Sequence, residues 1–232
     1  MNDTEKRRAK RRRKAGKTYG TTDLGNGMVQ ATPEAVLRAM GGLPPDLEWD
    51  VMAPNVIPIL PRRRPMPPQA GDPFRVTLPP GIPTGFGIDI GPAFLVVGES
   101  LLGTWPVGPA ELVATALENL RTRMRRVHPR DLVRQSIDGV PARVLQSGVG
   151  CASALVLAPD ELVRIFGPEP QLLIAPMRDL LISLPNDTDR SFVAWLNEEF
   201  AEMDPNGLAL DAFILEGGAL RYAALRPPFR RD

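Results

Sequence analysis

One cysteine, one histidine and four lysines are all that 232 residues contain of three versatile side chains, and no lysine follows Lys17. Each scarcity removes a class of chemistry. Cys151 alone excludes an internal disulfide and any cysteine-rich zinc site, and His128 alone excludes HExxH and every site that needs two histidines. Without lysine beyond residue 17, the folded part of the chain has no P-loop, no Schiff-base lysine and no Ser-x-x-Lys hydrolase motif. No run reaches the roughly 18 apolar residues of a membrane span, and the basic N-terminus lacks the apolar stretch of a secretory signal. These readings lead to the expectation of a cytoplasmic protein with no transmembrane segment, no metal and no cofactor.

At 43% hydrophobic and 24% charged, the chain has enough apolar surface to build a core. The net charge of +1 conceals a split. Lys6, Arg7, Arg8, Lys10, Arg11, Arg12, Arg13, Lys14 and Lys17 stand against Asp3 and Glu5, so residues 1–17 carry +7 and the rest of the chain −6. A block of like charge without apolar periodicity predicts a disordered tail over residues 1–20. Its functional reading is an arm that neutralises the phosphates of nucleic acid or of an anionic surface. The other reading is a solubilising leader. Elsewhere arginine replaces lysine throughout, a usage that a GC-rich coding bias would also produce.

Residues 21–85 read as one short helix and a proline-rich segment. Thr32-Pro33-Glu34, then Val36, Leu37 and Met40, then Gly41-Gly42, supply a hydroxyl cap, a first-turn proline and a glycine stop. Twelve prolines lie between residues 44 and 83 and exclude regular helix through most of that stretch. Arg62 to Pro68 fits the Arg-x-x-Pro-x-x-Pro pattern of polyproline II ligands of a protein partner, but a stiff linker is the preferred reading because chance matches are frequent. Short strands are expected at residues 56–60 and 74–78.

From residue 86 to 226 the pattern is that of an α+β domain, a mixed or antiparallel sheet with about three to four helices, followed by a C-terminal tail over 227–232. Leu112, Ala116, Leu120 and Met124 repeat every four residues in the clearest helix, Pro109 to Val127, and Arg121, Arg123, Arg125 and Arg126 at its end complement the macrodipole. Strands are expected at 93–97, 142–145, 154–157, 171–175 and 179–184. A short helix is expected at 159–166, another helix capped around residues 187–189, and a hairpin around Glu216-Gly217-Gly218.

Three segments in order, with the closing hairpin, resemble the YtpQ-like bacterial family, defined by domain of unknown function 1444. They are Gly87-Ile88-Asp89-Ile90-Gly91 leading to Ala116-Leu117-Glu118-Asn119-Leu120-Arg121, then Ala152-Ser153, then Ile174-Ala175-Pro176-Met177-Arg178-Asp179-Leu180-Leu181. The resemblance implies a shared fold over residues 86–226 and no established chemistry. The family's further N-terminal region has no counterpart in residues 1–85 as read above.

Catalytic constellations are sparse. Gly98 to Gly103 misses the nucleophile-elbow spacing by one residue, His128 precedes Pro129 at a helix end, and nothing near Cys151 predicts a lowered thiol pKa. The glycines at 81–91 and 148–150 read as turns or bulges. Asp89 and Asp179 stand out because each borders a strand, and Arg178-Asp179 between two apolar runs is either a charged pair at a pocket mouth or a turn satisfying its own backbone. The leading expectation is therefore a non-enzymatic macromolecule-binding module with a basic tail, its partner a protein, nucleic acid or anionic surface. The alternative is an enzyme using carboxylate and arginine chemistry around Asp89, Glu118, Arg178 and Asp179.

Overall fold

The computed structural model describes residues 21–23, 29–64, 72–91, 93–148, 150–204 and 206–225. The basic tail, most of the Arg-x-x-Pro-x-x-Pro motif and the C-terminal tail lie outside the described residues. Helices and antiparallel sheets make an α+β fold, as expected, and every strand pairing is antiparallel.

Strands β1 (Thr21–Asp23) and β2 (Val29–Ala31) form a small hairpin that leads into helix α1 (Pro33–Gly41). Thr32 caps α1 by accepting the Ala35 N–H at 3.3 Å. A single turn, α2 (Trp49–Met52), precedes a four-stranded sheet of β3 (Val56–Ile59), β4 (Arg75–Leu78), β5 (Ile82–Asp89) and β6 (Phe94–Val96). β3 lies along one edge of β5, and β4 and β6 follow each other along the opposite edge. The expected boundary at residue 86 thus falls inside β5, and residues 56–59 and 75–85 are built into one sheet with residues 86–96.

Helix α3 (Glu99–Thr104) leads to α4 (Pro109–Met124), whose fully buried Leu112, Ala116, Leu120 and Met124 form the stripe read in the sequence. That stripe runs across two cores. Leu112 and Ala116 pack with Phe86, Ile88 and Trp105, while Leu120 and Met124 pack with Ile57, Leu145 and Leu173. Asn119 pins the helix to the start of β3 by donating to the Ala53 and Val56 carbonyls at 2.7 and 2.9 Å.

The larger sheet has six strands in the order β12 (Ala219–Tyr222), β11 (Phe213–Glu216), β9 (Gln171–Met177), β10 (Leu180–Pro185), β8 (Val140–Leu145) and β7 (Val133–Ile137). β9 is buried along its whole length because both faces of the sheet are covered. On one face Leu173, Ala175 and Leu181 meet the 3₁₀ segment Ala152–Leu157 and helix α5 (Pro159–Phe166). On the other, Leu172, Ile174 and Ile182 meet α6 (Arg190–Met203), capped by Asp189, which accepts the Ser191 and Phe192 N–H groups at 2.8 and 3.2 Å.

Two expectations need correction. Against three to four expected, the described residues hold six α-helices in all and four within residues 86–226; the two unread ones, α2 and α3, at four and six residues, are too short to show a 3.6-residue period. Residues 154–157 are not a strand but part of the 3₁₀ segment, since a short apolar run buried on all sides has the same composition in either state. No helix among the described residues is long and apolar enough to cross a membrane.

Candidate functional site

Arg178 and Asp179 form the tight turn between β9 and β10, where two apolar strands reverse direction. The Asp179 carboxylate reaches back to the loop before the 3₁₀ segment. It accepts the Ser147 hydroxyl, the Gly148 N–H at 2.8 Å and the Ala152 N–H at 3.0 Å. The Arg178 carbonyl accepts Ser153 twice, from its N–H at 3.2 Å and its hydroxyl at 2.7 Å. One two-residue turn therefore holds the loop over residues 147–153 by both a side chain and a main-chain group.

The Arg178 guanidinium lies beside Gly150 of the same loop, with its central carbon 3.9 Å from the centroid of the Phe94 ring. Gly150 leaves the room. A Cβ there would sit 3.0 Å from Arg178 Nη2, and Gly150 holds a φ of +76° that only glycine adopts without strain. Burial lowers the affinity of Arg178 for its proton, and the nearby Asp89 and Asp179 carboxylates oppose that shift.

Asp89 closes β5. Its carboxylate accepts the Gly91 N–H at 2.8 Å and is ion-paired with Arg123 from the last turn of α4. Cys151 lies beneath these groups, 1% exposed, with its thiol pushed up to about 12 by burial and, secondarily, by the Asp179 charge. It stays a protonated thiol at neutral pH. Asp89, Arg178 and Asp179 thus come together, and Glu118 does not join them. Glu118 lies on the solvent side of α4, where it accepts from Arg125 at 3.1 Å and Thr122 at 3.4 Å.

Sequence reasoning missed Arg123, Phe94, Ser147 and Ser153. Arg123 was legible only as a helix-end cation, and nothing local pairs it with a residue 34 positions away. The chemistry open to this cluster is limited by how fully its acceptors are used. Asp179 is committed to loop hydrogen bonds and Asp89 to Arg123 and Gly91, so each carboxylate acts here as an anchor. His128 is exposed, and its backbone N–H donates to the Asp131 carboxylate at 2.8 Å in a capped turn. Among the described residues, no group of three or more His, Cys, Asp or Glu side chains is placed to share a metal ion.

Two shallow surface grooves lie elsewhere. One of about 300 Å³ borders Arg134, Arg143 and Gln171, and one of about 540 Å³ runs between α6 and residues 208–211, lined by Asn197, Glu198, Leu208 and Asp211. In the first, Arg143 is already spent on the Phe166 carbonyl, on Gln171 at 2.8 Å and on Ser183 at 3.1 Å. No protein-family model matches the chain, and neither a curated protein nor a solved structure matches it.

Proposed function

We propose that this chain is a non-enzymatic binding module of the bacterial cytoplasm whose basic tail engages a phosphate-bearing polyanion. The observation that carries the reading is the segregation of charge. Nine cations in residues 1–17 stand against only Asp3 and Glu5 in the same stretch of sequence, whereas in the central cluster Asp89 pairs with Arg123 and the Gly91 N–H, Asp179 accepts a hydroxyl and two N–H groups, and the Arg178 guanidinium lies on Phe94. A cation without a local partner gains most from a phosphate surface, through release of the counterions condensed there.

The resemblance to the YtpQ-like family belongs to the same reading. It is supported by the position of Asp89 at the end of β5 and of Arg178-Asp179 in the turn between β9 and β10. The enzymatic alternative draws support from the meeting of Asp89, Arg178 and Asp179, and it is weakened by the commitment of both carboxylates to structural hydrogen bonds.

The test compares the full chain with one lacking residues 1–19 for retention of duplex DNA and single-stranded RNA across a salt series. Retention by the full chain is expected to fall with salt, by a log–log slope of about −0.9 per phosphate neutralised on duplex DNA, and the truncated chain is expected to lose most of it. Equal retention by the two chains would sink the proposal.

A further inference from the structure

The six-stranded sheet ends in two edge strands, β12 and β7, and they differ in how their charge is met. Arg221 of β12 is ion-paired at 3.5 Å with Glu216 of the neighbouring β11. On β7 the cross-strand neighbour is a second arginine, since the register sets Arg134 opposite Arg143 of β8. Like charges directly opposite repel. Arg143 offers no relief, because its hydrogen bonds go to neutral acceptors, the Phe166 carbonyl, Gln171 and Ser183. Those bonds fix its guanidinium without cancelling the charge. Arg134 is exposed and has no hydrogen-bond or ion-pair partner among the described residues. Both arginines line the groove of about 300 Å³ together with Gln135, Gln171 and Ser183, and no carboxylate among the described residues lines it. Asp131 and Asp138 flank β7 in sequence and stay outside the lining.

The backbone of the same strand is open on its outer side. β7 and β8 are joined by the two-residue turn Asp138-Gly139, with φ of 49° and 85°, so Ile137 and Val140, which close it, form a hydrogen-bonded pair. Such pairs alternate along an antiparallel ladder. The N–H and C=O of Ile137, Gln135 and Val133 therefore turn toward β8, and those of Ser136 and Arg134 turn outward. Pro141, with no N–H to give, stands opposite Ser136, where the β7–β8 ladder needs none. No described strand pairs with that outer side. Val133, 57% exposed, adds an apolar position on the face opposite Arg134.

We propose that β7 is a docking edge for an extended acidic peptide of a partner protein, which adds as a further strand and sets its carboxylates against Arg134 and Arg143. The site lies in the folded region and is independent of the tail. Alternate side chains of an added strand fall on one face, so acidic residues at every second position meet the arginine pair while the intervening side chains pass Val133. An edge arginine discourages neutral and basic strands, which leaves acidic ones favoured. A second copy fits less well, because β7 paired with its own twin brings a second arginine pair to the first. A free anion would use the arginines and leave the outward backbone groups without a partner.

The probe is a capped peptide of about seven residues alternating glutamate and valine. It is compared with a lysine–valine counterpart, with a form methylated at the amides that face β7, and with glutarate as the bare carboxylate. Calorimetry measures binding to the full chain, and hydrogen exchange reads the Arg134 and Ser136 amides. The protein variants are Arg134→Glu and Arg134→Lys, both at an exposed position, with far-UV dichroism as the check on folding. The glutamate peptide is expected to bind wild type and to protect both amides. Its affinity is expected to fall by about tenfold or more in Arg134→Glu and to stay within about threefold in Arg134→Lys. The lysine and methylated peptides are expected to bind at least about tenfold more weakly than the parent.

Equal binding of the glutamate and lysine peptides, or wild-type affinity in Arg134→Glu, would overturn the charge complementarity. A methylated peptide or glutarate that binds as tightly as the parent would reduce the site to an anion groove and refute strand addition. Binding that leaves the Arg134 and Ser136 amides unprotected would assign the peptide to another surface, the basic tail included, and refute the site. Absence of binding would do the same. A wild-type dimer whose formation protects these two amides would give the edge to a second copy instead.

Discussion

Replacing Asp179 by Ala tests whether the central carboxylate is an anchor. The change removes the acceptor of three hydrogen bonds, from the Ser147 hydroxyl and the Gly148 and Ala152 N–H groups. Gly148 is exposed, and water replaces the lost partner at a cost of about 0.5 kcal/mol or less. The Ser147 and Ala152 bonds are partly buried, and bonds to a charged acceptor are worth about 1.5–3 kcal/mol each, discounted toward the low end by partial exposure. The sum is about 3–4 kcal/mol, a large part of the roughly 5–15 kcal/mol that holds an ordinary domain together. Asp179→Asn keeps the shape and one acceptor oxygen, so its expected cost is about 1–2 kcal/mol. Urea unfolding measures both, with the midpoint moving and the slope constant. Hydrogen exchange adds a local readout, because the Gly148 and Ala152 amides lose protection before the sheet does. An Ala variant within about 0.5 kcal/mol of wild type would refute the anchor assignment and free the carboxylate for chemistry.

Two further perturbations bear on the same cluster. Burial holds the Cys151 thiol protonated up to about 12 against an ordinary 9.0, so its contribution to stability is complete below pH 9 and is lost as pH rises toward 12. Over that window wild type is expected to lose about 1.4 kcal/mol per pH unit through this group, a slope that Cys151→Ala lacks; equal slopes in urea titrations at pH 8–11 would contradict it. Gly150→Ala combines a left-handed φ with a Cβ 3.0 Å from Arg178 Nη2, and thermal melts are expected to show a loss of about 1–2 kcal/mol. Gly103→Ala serves as its control, lying in α3 with no atom within 4 Å of the new Cβ and an expected effect between neutral and about 1 kcal/mol stabilising.

How much of this was legible depended on whether a residue's neighbours in sequence are also its neighbours in space. The stripe of α4 and the paired apolar runs of β9 and β10 are local patterns, and both were readable. The placement of Asp179 between two strands followed from the second of them. β5 was harder to read because Pro83, Gly85 and Gly87 weaken any strand signal, and the structure explains the glycines. A Cβ at Gly85 or Gly87 would sit 3.2 Å from Ile59 or Phe94 of the flanking strands. β7 escaped because it is an edge strand whose first four residues are all exposed, which leaves no apolar alternation to find. The grouping of Glu118 with Asp89 and Asp179 failed for a related reason. On α4 the residue that faces Asp89 is Arg123, five positions on and on a different side of the helix, and only the packing of α4 against the four-stranded sheet decides which side that is.

The near-absence of lysine gains a physical meaning from the same geometry. Arg164 donates to Met124 and Val127 carbonyls at the end of α4, at 2.7 and 2.8 Å, while also binding Glu161 at 2.6 Å. Arg143 ties Phe166, Gln171 and Ser183 together, and Arg178 lies flat on Phe94. These positions use the planar fork of a guanidinium, with several donors fixed in one plane and a face that stacks, and an ammonium group cannot reproduce that. A coding bias toward arginine therefore does not exhaust the account of the folded region. The tail is the contrasting case, since four lysines and five arginines alternate there without order. Neutralising a phosphate surface needs charge and reach but no fixed fork, so either residue serves. Lysine is confined to residues 1–17, and in the folded region Arg143, Arg164 and Arg178 make contacts that join separate segments of the chain.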